Sequence, residues 1–274
     1  MKRLILSALA AGMAIAATAQ FQRIEVEEVV NGGLVPGTTY RVYAVLSHSE
    51  DHVHAIFGDK ENTLQISCTE PFYQHPDGGA MSRDVLRKQT KMDASLKYDS
   101  WFTIGLEDNY VNQVAQFMLD DGFKAFEEQG AGFTSNDGTW YATPDGAQVY
   151  ARDKKRVLLM QLTTTGKVTA TINLQGRTVG VSESGKKLSS NEAKIAEQDR
   201  LRSKVEAIKA ELEKIQVIID QKVNTGGVRR DSDEIKGMQR DFEAKTNELT
   251  RLREAFKMTN GELWKETGVT FTCG

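Results

Sequence analysis

Residues 157–174 read VLLMQLTTTGKVTATINL, and this stretch decides the fold class of the first part of the chain. An apolar run, VLLMQL, precedes Thr165-Gly166, and VTATINL at 168–174 then alternates apolar and polar residues. Alternation is typical of a half-buried strand, and a short Thr-Gly turn between two such runs predicts a tight hairpin. The stretch therefore predicts antiparallel β-structure.

Other runs between residues 20 and 184 have the same character. They are rich in β-branched and aromatic residues, which suit a pleated surface, and Gly, Pro, Asn and Asp separate them. A short helix is predicted at 112–126. The predicted strands lie at 23–30, 40–46, 52–57, 64–68, 101–104, 140–141, 148–150, 157–162 and 168–174. Many short strands with frequent turns predict an antiparallel β-sandwich over residues 20–184.

The pattern becomes helical after residue 185. Residues 189–192, SSNE, have the spacing of a capping box, in which the serine and glutamate side chains bond free amides of the first turn. Apolar residues then recur three or four positions apart on both sides of Gly226-Gly227, and Lys245 interrupts the second run. The first run is Leu201, Val205, Ile208, Leu212, Ile215 and Ile219, and the second is Ile235, Met238, Phe242, Leu249, Leu252 and Phe256.

This heptad spacing predicts two helices, of about 30 and 26 residues, that form an antiparallel coiled-coil hairpin over residues 185–260. Either the apolar seam is simply the inside of the hairpin, or it binds a protein partner or a second copy in a four-helix bundle. Asp231 or Ser232 is expected to cap the second helix. Residues 261–274 contain GVTFTC, which predicts a short C-terminal strand that returns to the β domain.

The first 19 residues have the three parts of a secretory signal peptide. Lys2 and Arg3 are followed by an apolar stretch over 4–16, and Ala-Thr-Ala at 17–19 is a cleavage site. The apolar stretch is shorter than the roughly 20 residues that a membrane span needs. We therefore expect a mature chain that starts at Gln20, has no membrane span, and is periplasmic or extracellular.

The charge balance argues against nucleic acid as a partner. The chain has 274 residues, with 35 basic and 38 acidic side chains and a formal net charge of −3. Loss of Lys2 and Arg3 with the signal peptide leaves 33 basic and 38 acidic side chains, a net charge of −5. A mildly acidic exported protein lacks the basic surface that phosphate backbones require.

Two cysteines, Cys68 and Cys273, remain in the mature chain. In an oxidising compartment such a pair often forms a disulfide, so we predict a Cys68–Cys273 bond that ties the end of the chain to the β domain. The alternatives are two buried free thiols or one bridge to a partner.

The sequence contains a weak candidate for a metal site. His48, Asp51, His52 and His54 are close together, and two imidazoles with a carboxylate could bind zinc or copper. The cluster spans a turn and lacks a third assured ligand, so a polar loop that leads into a strand is the competing interpretation.

No cofactor is expected from the sequence. Structural calcium in the acidic turns is the alternative, because loop carboxylates and carbonyls bind hard cations. The turns are Asp99, Asp108, residues 120–122, residues 136–138 and residues 145–146. None has EF-hand spacing, and Asp and Asn in turns ordinarily stabilise the turn itself.

Sequence signatures of common enzymes are absent. The chain has no G-x-S-x-G elbow, no H-E-x-x-H motif, no phosphate-binding loop and no dinucleotide fingerprint. A pair of hydrolytic carboxylates could still be hidden among the acidic residues. Trp101, Trp140, Tyr141 and Tyr150 would form either a face that stacks against sugars or part of the β-domain core.

Several stretches carry a family resemblance. They are FYQ at 72–74 with Gly78-Gly79, YDSWFTIG at 98–105, NDGTW at 136–140 with TPD at 143–145, and INLQ at 172–175. Together they resemble a β-rich domain of secreted bacterial proteins that has a Y-D-S-W-x-T-I-G stretch. The resemblance covers residues 23–176 and implies an extracellular location and an all-β first domain, but no activity and no functional residue.

The functional prediction is a non-catalytic secreted or envelope protein for assembly or adhesion, with the helical hairpin as the element for self-association or partner binding. The alternatives are a carbohydrate-binding module with an aromatic face, and a secreted hydrolase. The predicted partner-binding seam consists of Leu201, Val205, Ile208, Leu212, Ile235, Met238, Phe242 and Leu249.

Overall fold

Eleven strands and three α-helices are found in residues 20–144, 146–188, 191–230 and 232–274, the part of the chain that the computed structural model describes. The strands are β1 Phe21–Val29, β2 Thr38–Leu46, β3 His52–Phe57, β4 Leu64–Cys68, β5 Trp101–Phe102, β6 Ala115–Phe117, β7 Phe133–Ser135, β8 Thr139–Tyr141, β9 Arg156–Thr164, β10 Val168–Arg177 and β11 Leu263–Cys273. The helices are α1 Asp120–Gln129, α2 Asn191–Asn224 and α3 Asp233–Met258. The predicted signal peptide and the serines of the predicted capping box lie outside the described residues.

The strands form two antiparallel sheets. The first sheet has the order β1-β2-β9-β5. The second has seven strands within the described ranges, in the order β6-β8-β3-β10-β4-β7, with β11 paired to β10. The β-rich character that the sequence predicts and the expected C-terminal strand are thus both present.

Strand β10 organises the second sheet. One of its edges pairs with β11, and its other edge pairs with both β3 and β4, which follow one another along it. Asn173 holds the gap between them, because its Nδ2 donates hydrogen bonds to the carbonyls of Phe57 (2.8 Å) and Asn62 (2.9 Å). The positions of β3, β4 and β11 therefore depend on the position of β10.

The main hydrophobic core contains side chains from both sheets. Val42 and Leu159 of the first sheet belong to the same buried cluster as Ile56 and Leu174 of the second. Phe102 lies among the rings of α1, β7 and β8, with its centroid 4.8 Å from that of Phe126. Burial of this many large side chains is the main stabilising contribution, at about 1.5–3 kcal/mol for each fully buried one.

The first sheet is covered on its other side as well. Tyr43, Leu158 and Trp101 form a second buried cluster with Val85 and Leu96, which come from the irregular segment between β4 and β5. Both faces of β9 are therefore buried. This explains why VLLMQL is a continuous apolar run, whereas β10, with one face less covered, alternates.

The irregular segment is attached by hydrogen bonds from β9. Gln161 donates from Nε2 to the carbonyls of Lys97 (2.9 Å) and Asp99 (2.8 Å). Thr163 donates from Oγ1 to the carbonyl of Tyr98 at 2.6 Å. The residues of the YDSWFTIG stretch thus serve packing and attachment.

The hairpin predicted at Thr165-Gly166 is not formed. Strand β9 pairs with β2 and β5 in the first sheet, and β10 lies in the second, so the turn carries the chain between sheets. A Cβ at Gly166 would lie 2.5 Å from the backbone nitrogen of Glu70, so glycine is required for this close approach. Two strand-like runs around a short turn do not reveal which sheet each run joins.

The helix predicted at 112–126 is displaced. Strand β6 occupies Ala115–Phe117, and α1 begins only at Asp120. Gln116 separates the two elements, since its Oε1 accepts a hydrogen bond from the Leu119 amide at 3.0 Å, and Met118 takes a left-handed φ of 56°. Pairing of β6 with β8 overrides the local helical pattern.

Gly105 of the YDSWFTIG stretch gives a test of this fold. Its φ is +82°, and a Cβ there would lie 1.8 Å from the Gln148 carbonyl oxygen. We expect Gly105→Ala to lower the free energy of unfolding by at least about 2 kcal/mol, through strain and displaced backbone, in chemical denaturation.

Gly185 is the matched control. It has the same φ of +82° with nothing within 4 Å of its Cβ position, so Gly185→Ala should cost only the left-handed penalty of about 1–2 kcal/mol. Equal costs for the two variants would contradict the close contact at Gly105.

Candidate functional site

Helices α2 and α3, here called the helical arm, lie side by side in antiparallel orientation. Three contacts define this pairing along their length. Gln198 donates to Thr259 Oγ1 at 3.0 Å near one end, Glu211 and Lys245 form an ion pair midway, and Lys222 pairs with Glu234 at 2.7 Å near the other. At about 1.5 Å per residue, the 34 residues of α2 extend roughly 50 Å. No strand of the described residues makes an extensive contact with either helix.

Five of the eight predicted seam residues pack together between the two helices of the same chain. Leu201, Ile208, Leu249 and Leu252 form a buried cluster. Val205, Leu212 and Phe256 pack against it, Ile235 is buried, and Met238 and Phe242 are half-buried. The pattern thus brings these positions together, but most of their surface is used within the chain.

Ser232 is the N-cap of α3, as one of the two predicted alternatives proposed. Its hydroxyl accepts a hydrogen bond from the Ile235 amide at 3.3 Å. Such a cap satisfies one of the amides left free in the first turn of a helix.

Glu183 attaches the arm at its base. Its carboxylate accepts from Arg200 and Lys204 of α2 and from Arg251 of α3, each at 2.9 Å, and only 11% of its side chain is exposed. These contacts lower the pKa of Glu183 to about 2. The hydrogen bond from Lys204 has the largest effect, and the hydrogen bond from Arg200 also lowers the pKa. One carboxylate therefore holds both helices.

Further hydrogen bonds complete this attachment. The Val181 amide donates to the Met258 carbonyl at 3.0 Å, and Gln198 also reaches Asn260 Oδ1 at 3.2 Å. Asp51 connects the base to β3, because its Oδ1 accepts from the Val179 amide at 3.2 Å. Burial raises the pKa of Asp51, so this carboxyl pays a desolvation penalty to hold the junction.

The predicted histidine cluster forms part of this junction. Asp51 Oδ2 accepts from the His48 amide at 3.0 Å, and His48 Nδ1 accepts from the Glu50 amide at 3.3 Å. The His52 and His54 rings lie 5.6 Å apart, and the His52 ring contacts Tyr150 edge-on at 5.1 Å. A cavity of about 650 Å³, lined by His52, Tyr150 and residues of the arm base, lies beside them.

Metal binding gains no support from this geometry. The described ranges contain no group of three or more His, Cys, Asp or Glu side chains placed to hold a metal ion. Asp120 and Asp137, from two of the acidic turns, do line one cavity of about 800 Å³. Both carboxylates already accept hydrogen bonds, from Gln116 at 2.6 Å and from Ser135 at 3.1 Å, as expected for turn residues.

The predicted disulfide is not supported, because Cys68 and Cys273 are both free thiols. Each pairs with Val168, but from opposite edges of β10. Two inter-strand spacings of about 4.8 Å separate the cysteine Cα atoms by roughly 9.6 Å, beyond the limit of about 7 Å for a disulfide. The C-terminal strand is held by backbone pairing instead.

The tryptophans of the predicted sugar-stacking face are core residues. Trp101 and Trp140 are buried in the two hydrophobic clusters, and Trp140 Nε1 donates to the Thr103 carbonyl at 3.1 Å. Tyr150 packs against His52, whereas Tyr141 is 42% exposed. Tyr141 is thus the one member of the predicted set that presents a large exposed surface.

Sequence reasoning missed Glu183. Its partners lie 17, 21 and 68 positions further along the chain, so no local pattern connects them. Only the return of α3 to the start of α2 brings Arg251 to the same carboxylate.

The Glu183 contacts predict a pH dependence. Since its folded-state pKa is about 2, below the ordinary value of 4.5, its contribution is present above about pH 4.5 and lost as the pH falls towards 2. We expect Glu183→Gln to lower the thermal unfolding temperature at pH 6, and this deficit to shrink at pH 3, in circular dichroism melts.

The control is Glu206→Gln. It removes the ion pair between Lys209 and Glu206, and the Glu206 side chain is 63% exposed. Exposed pairs contribute little, so this variant should melt like the wild type at both pH values. A Glu183→Gln deficit that is independent of pH would contradict an ionic role.

The thiols give a second test. In denaturant, a thiol reagent should titrate two free cysteines per chain. In the native protein Cys68 should react first, because Cys273 is buried and burial raises the pKa of its thiol to about 12. A count of zero thiols in denaturant would show that the disulfide forms and that the pairing around β10 differs from the one described.

Comparisons with known proteins do not assign the chain to a family. No protein-family model, no curated protein and no solved structure matches it significantly. No helix in the described ranges combines the length and apolarity that a membrane crossing requires. The arm and its base, held by Glu183, are therefore the candidate functional element on geometry alone.

Proposed function

We propose that this protein is a non-catalytic protein of the envelope or extracellular space that acts in adhesion or assembly, with the helical arm as its binding element. The observation that carries the proposal is an arm of roughly 50 Å, fastened at one end by Glu183 and free of extensive contact with the strands. A helix pair held in this way presents most of its length to a partner.

The proposal includes the finer architecture predicted from the sequence. We infer that the two sheets face each other as a β-sandwich and that the arm is a coiled-coil hairpin. The cluster shared by both sheets supports the first inference, and the buried seam of Leu201, Ile208 and Leu249 supports the second. Export through residues 1–19 remains a prediction from the signal-peptide pattern.

Because the seam is used internally, the binding surface must consist of other residues. Val217 and Ile218 are adjacent on α2 towards the end that is remote from Glu183, and they are 48% and 40% exposed. They lie on a helix whose exposed positions are otherwise mainly charged. A second copy of the arm would bury this pair and form the four-helix bundle that the heptads suggest.

Self-association tests the proposal. Sedimentation of the mature chain at high concentration should show dimers, and Val217→Asp combined with Ile218→Asp should raise the dimer dissociation constant at least tenfold. Aspartates at these positions would place like charges in the interface.

Ile195→Asp is the matched control, since Ile195 is an apolar residue of α2 that is 56% exposed near the base. This variant should sediment like the wild type. A strict monomer at high concentration, or equal effects of the two substitutions, would contradict self-association through the remote end of the arm.

A further inference from the structure

The outer face of the second sheet, unlike that of the first, carries exposed aromatic rings. Thr139 pairs with Phe57 on one side and with Phe117 on the other, and Tyr141 lies two residues further along β8. Trp140, between them, points into the core, so these neighbours point outward. Phe57, Phe117 and Tyr141 are here called the aromatic face.

The spacing of the three rings follows from the register. Phe57 and Phe117 are separated by two inter-strand distances, roughly 9.6 Å, and Tyr141 is displaced along the strand by about 6.7 Å. Phe117 is 60% exposed and Tyr141 42%, while Phe57 is half-buried. The sheet thus supports three rings on one surface, over a length comparable to that of a disaccharide.

Polar residues lie beside two of the rings. A groove of about 390 Å³ runs beside Phe57 and Tyr141, and Gln175, His54 and Asp137 also line it. This volume is within the range of small-ligand sites.

Lys265 adds a positive charge to this surface. It lies beside Gln175 in the pairing of β10 with β11, and its Nζ is 5.0 Å from the centroid of the Phe57 ring. The Asp59 carboxylate interacts with Lys265, and the Asp137 carboxylate lines the groove. Both signs of charge are therefore present, so the surface favours no strongly charged ligand.

His54 is a nearly buried polar residue that lines the groove. The residue is 8% exposed, and no hydrogen-bond partner of its Nδ1 is found among the described residues. Its Nε2 lies 3.1 Å from Gln175 Nε2, a donor, so Nε2 accepts and the proton is on Nδ1. Burial lowers the pKa of His54 to about 4, so the ring is neutral at pH 7.

We propose that the aromatic face binds an extended β-linked polysaccharide chain of the cellulose, chitin or xylan type. The flat faces of such sugar rings present C–H groups, which suit the negative faces of aromatic rings. Their equatorial hydroxyls point sideways, where the groove presents the amide of Gln175 and the imidazole of His54. An apolar peptide would match the rings but leave these polar groups unpaired.

The experiment measures binding of the full chain to insoluble cellulose, chitin and xylan by co-sedimentation, and to their hexasaccharides by calorimetry. We expect binding to at least one of the three. Phe117→Ala and Tyr141→Ala should each raise its dissociation constant at least tenfold, and Tyr141→Phe should retain binding because the ring remains. This readout is independent of self-association through the arm.

Tyr110→Ala is the matched control, because Tyr110 is an aromatic residue, 62% exposed, outside the aromatic face. It should bind like the wild type. Circular dichroism melts identify any variant that fails to fold. If Phe117→Ala fails to fold, Phe117→Ser replaces it, because Phe117 lies on an edge strand of the sheet. Absence of binding to all three polysaccharides, or wild-type affinity of both alanine variants, would overturn the proposal, and so would an equal loss in Tyr110→Ala.

Discussion

The pairing of β10 is the constraint on which the rest of the β-structure depends. This strand holds β11 on one edge and β3 and β4 on the other, and β8 and β7 extend the sheet outward from these two. The side chains of Val168, Ala170, Ile172 and Leu174 point from it into the shared core. Because both its edges are used, β9 cannot pair with it, and because it lies between β4 and β11 it keeps Cys68 and Cys273 apart.

The two sheets differ in what covers their outer faces. Trp101, Val85 and Leu96 cover the first sheet, and its central strand is apolar on both sides. The outer face of the second sheet remains open around β6, β8 and β3, where Phe117 and Tyr141 are exposed. Within the two sheets, an exposed aromatic surface is thus found where the irregular segment does not reach.

The heptad pattern of the helical arm has two structural interpretations. Leu201 and Ile208 on α2 are seven positions apart, as are Phe242 and Leu249 on α3. This heptad spacing alone is equally compatible with intramolecular and intermolecular packing. The attachment at Glu183 and the ion pair of Glu211 with Lys245 show that the partner helix belongs to the same chain. The surface of the arm that stays exposed is mainly charged, with the apolar residues Ile195, Val217 and Ile218 among its exposed positions.

Periodicity and local capping chemistry were enough to predict the β-rich first part, the two long helices, a cap at Asp231 or Ser232 and the strand at the C-terminal end. Which strands are neighbours follows only from three-dimensional packing. That packing places Val168 between Cys68 and Cys273, buries Trp101 and Trp140, and brings Phe57, Phe117 and Tyr141 to one surface. Strand order brings together residues that are distant in the chain, and a local pattern contains no information about such pairing.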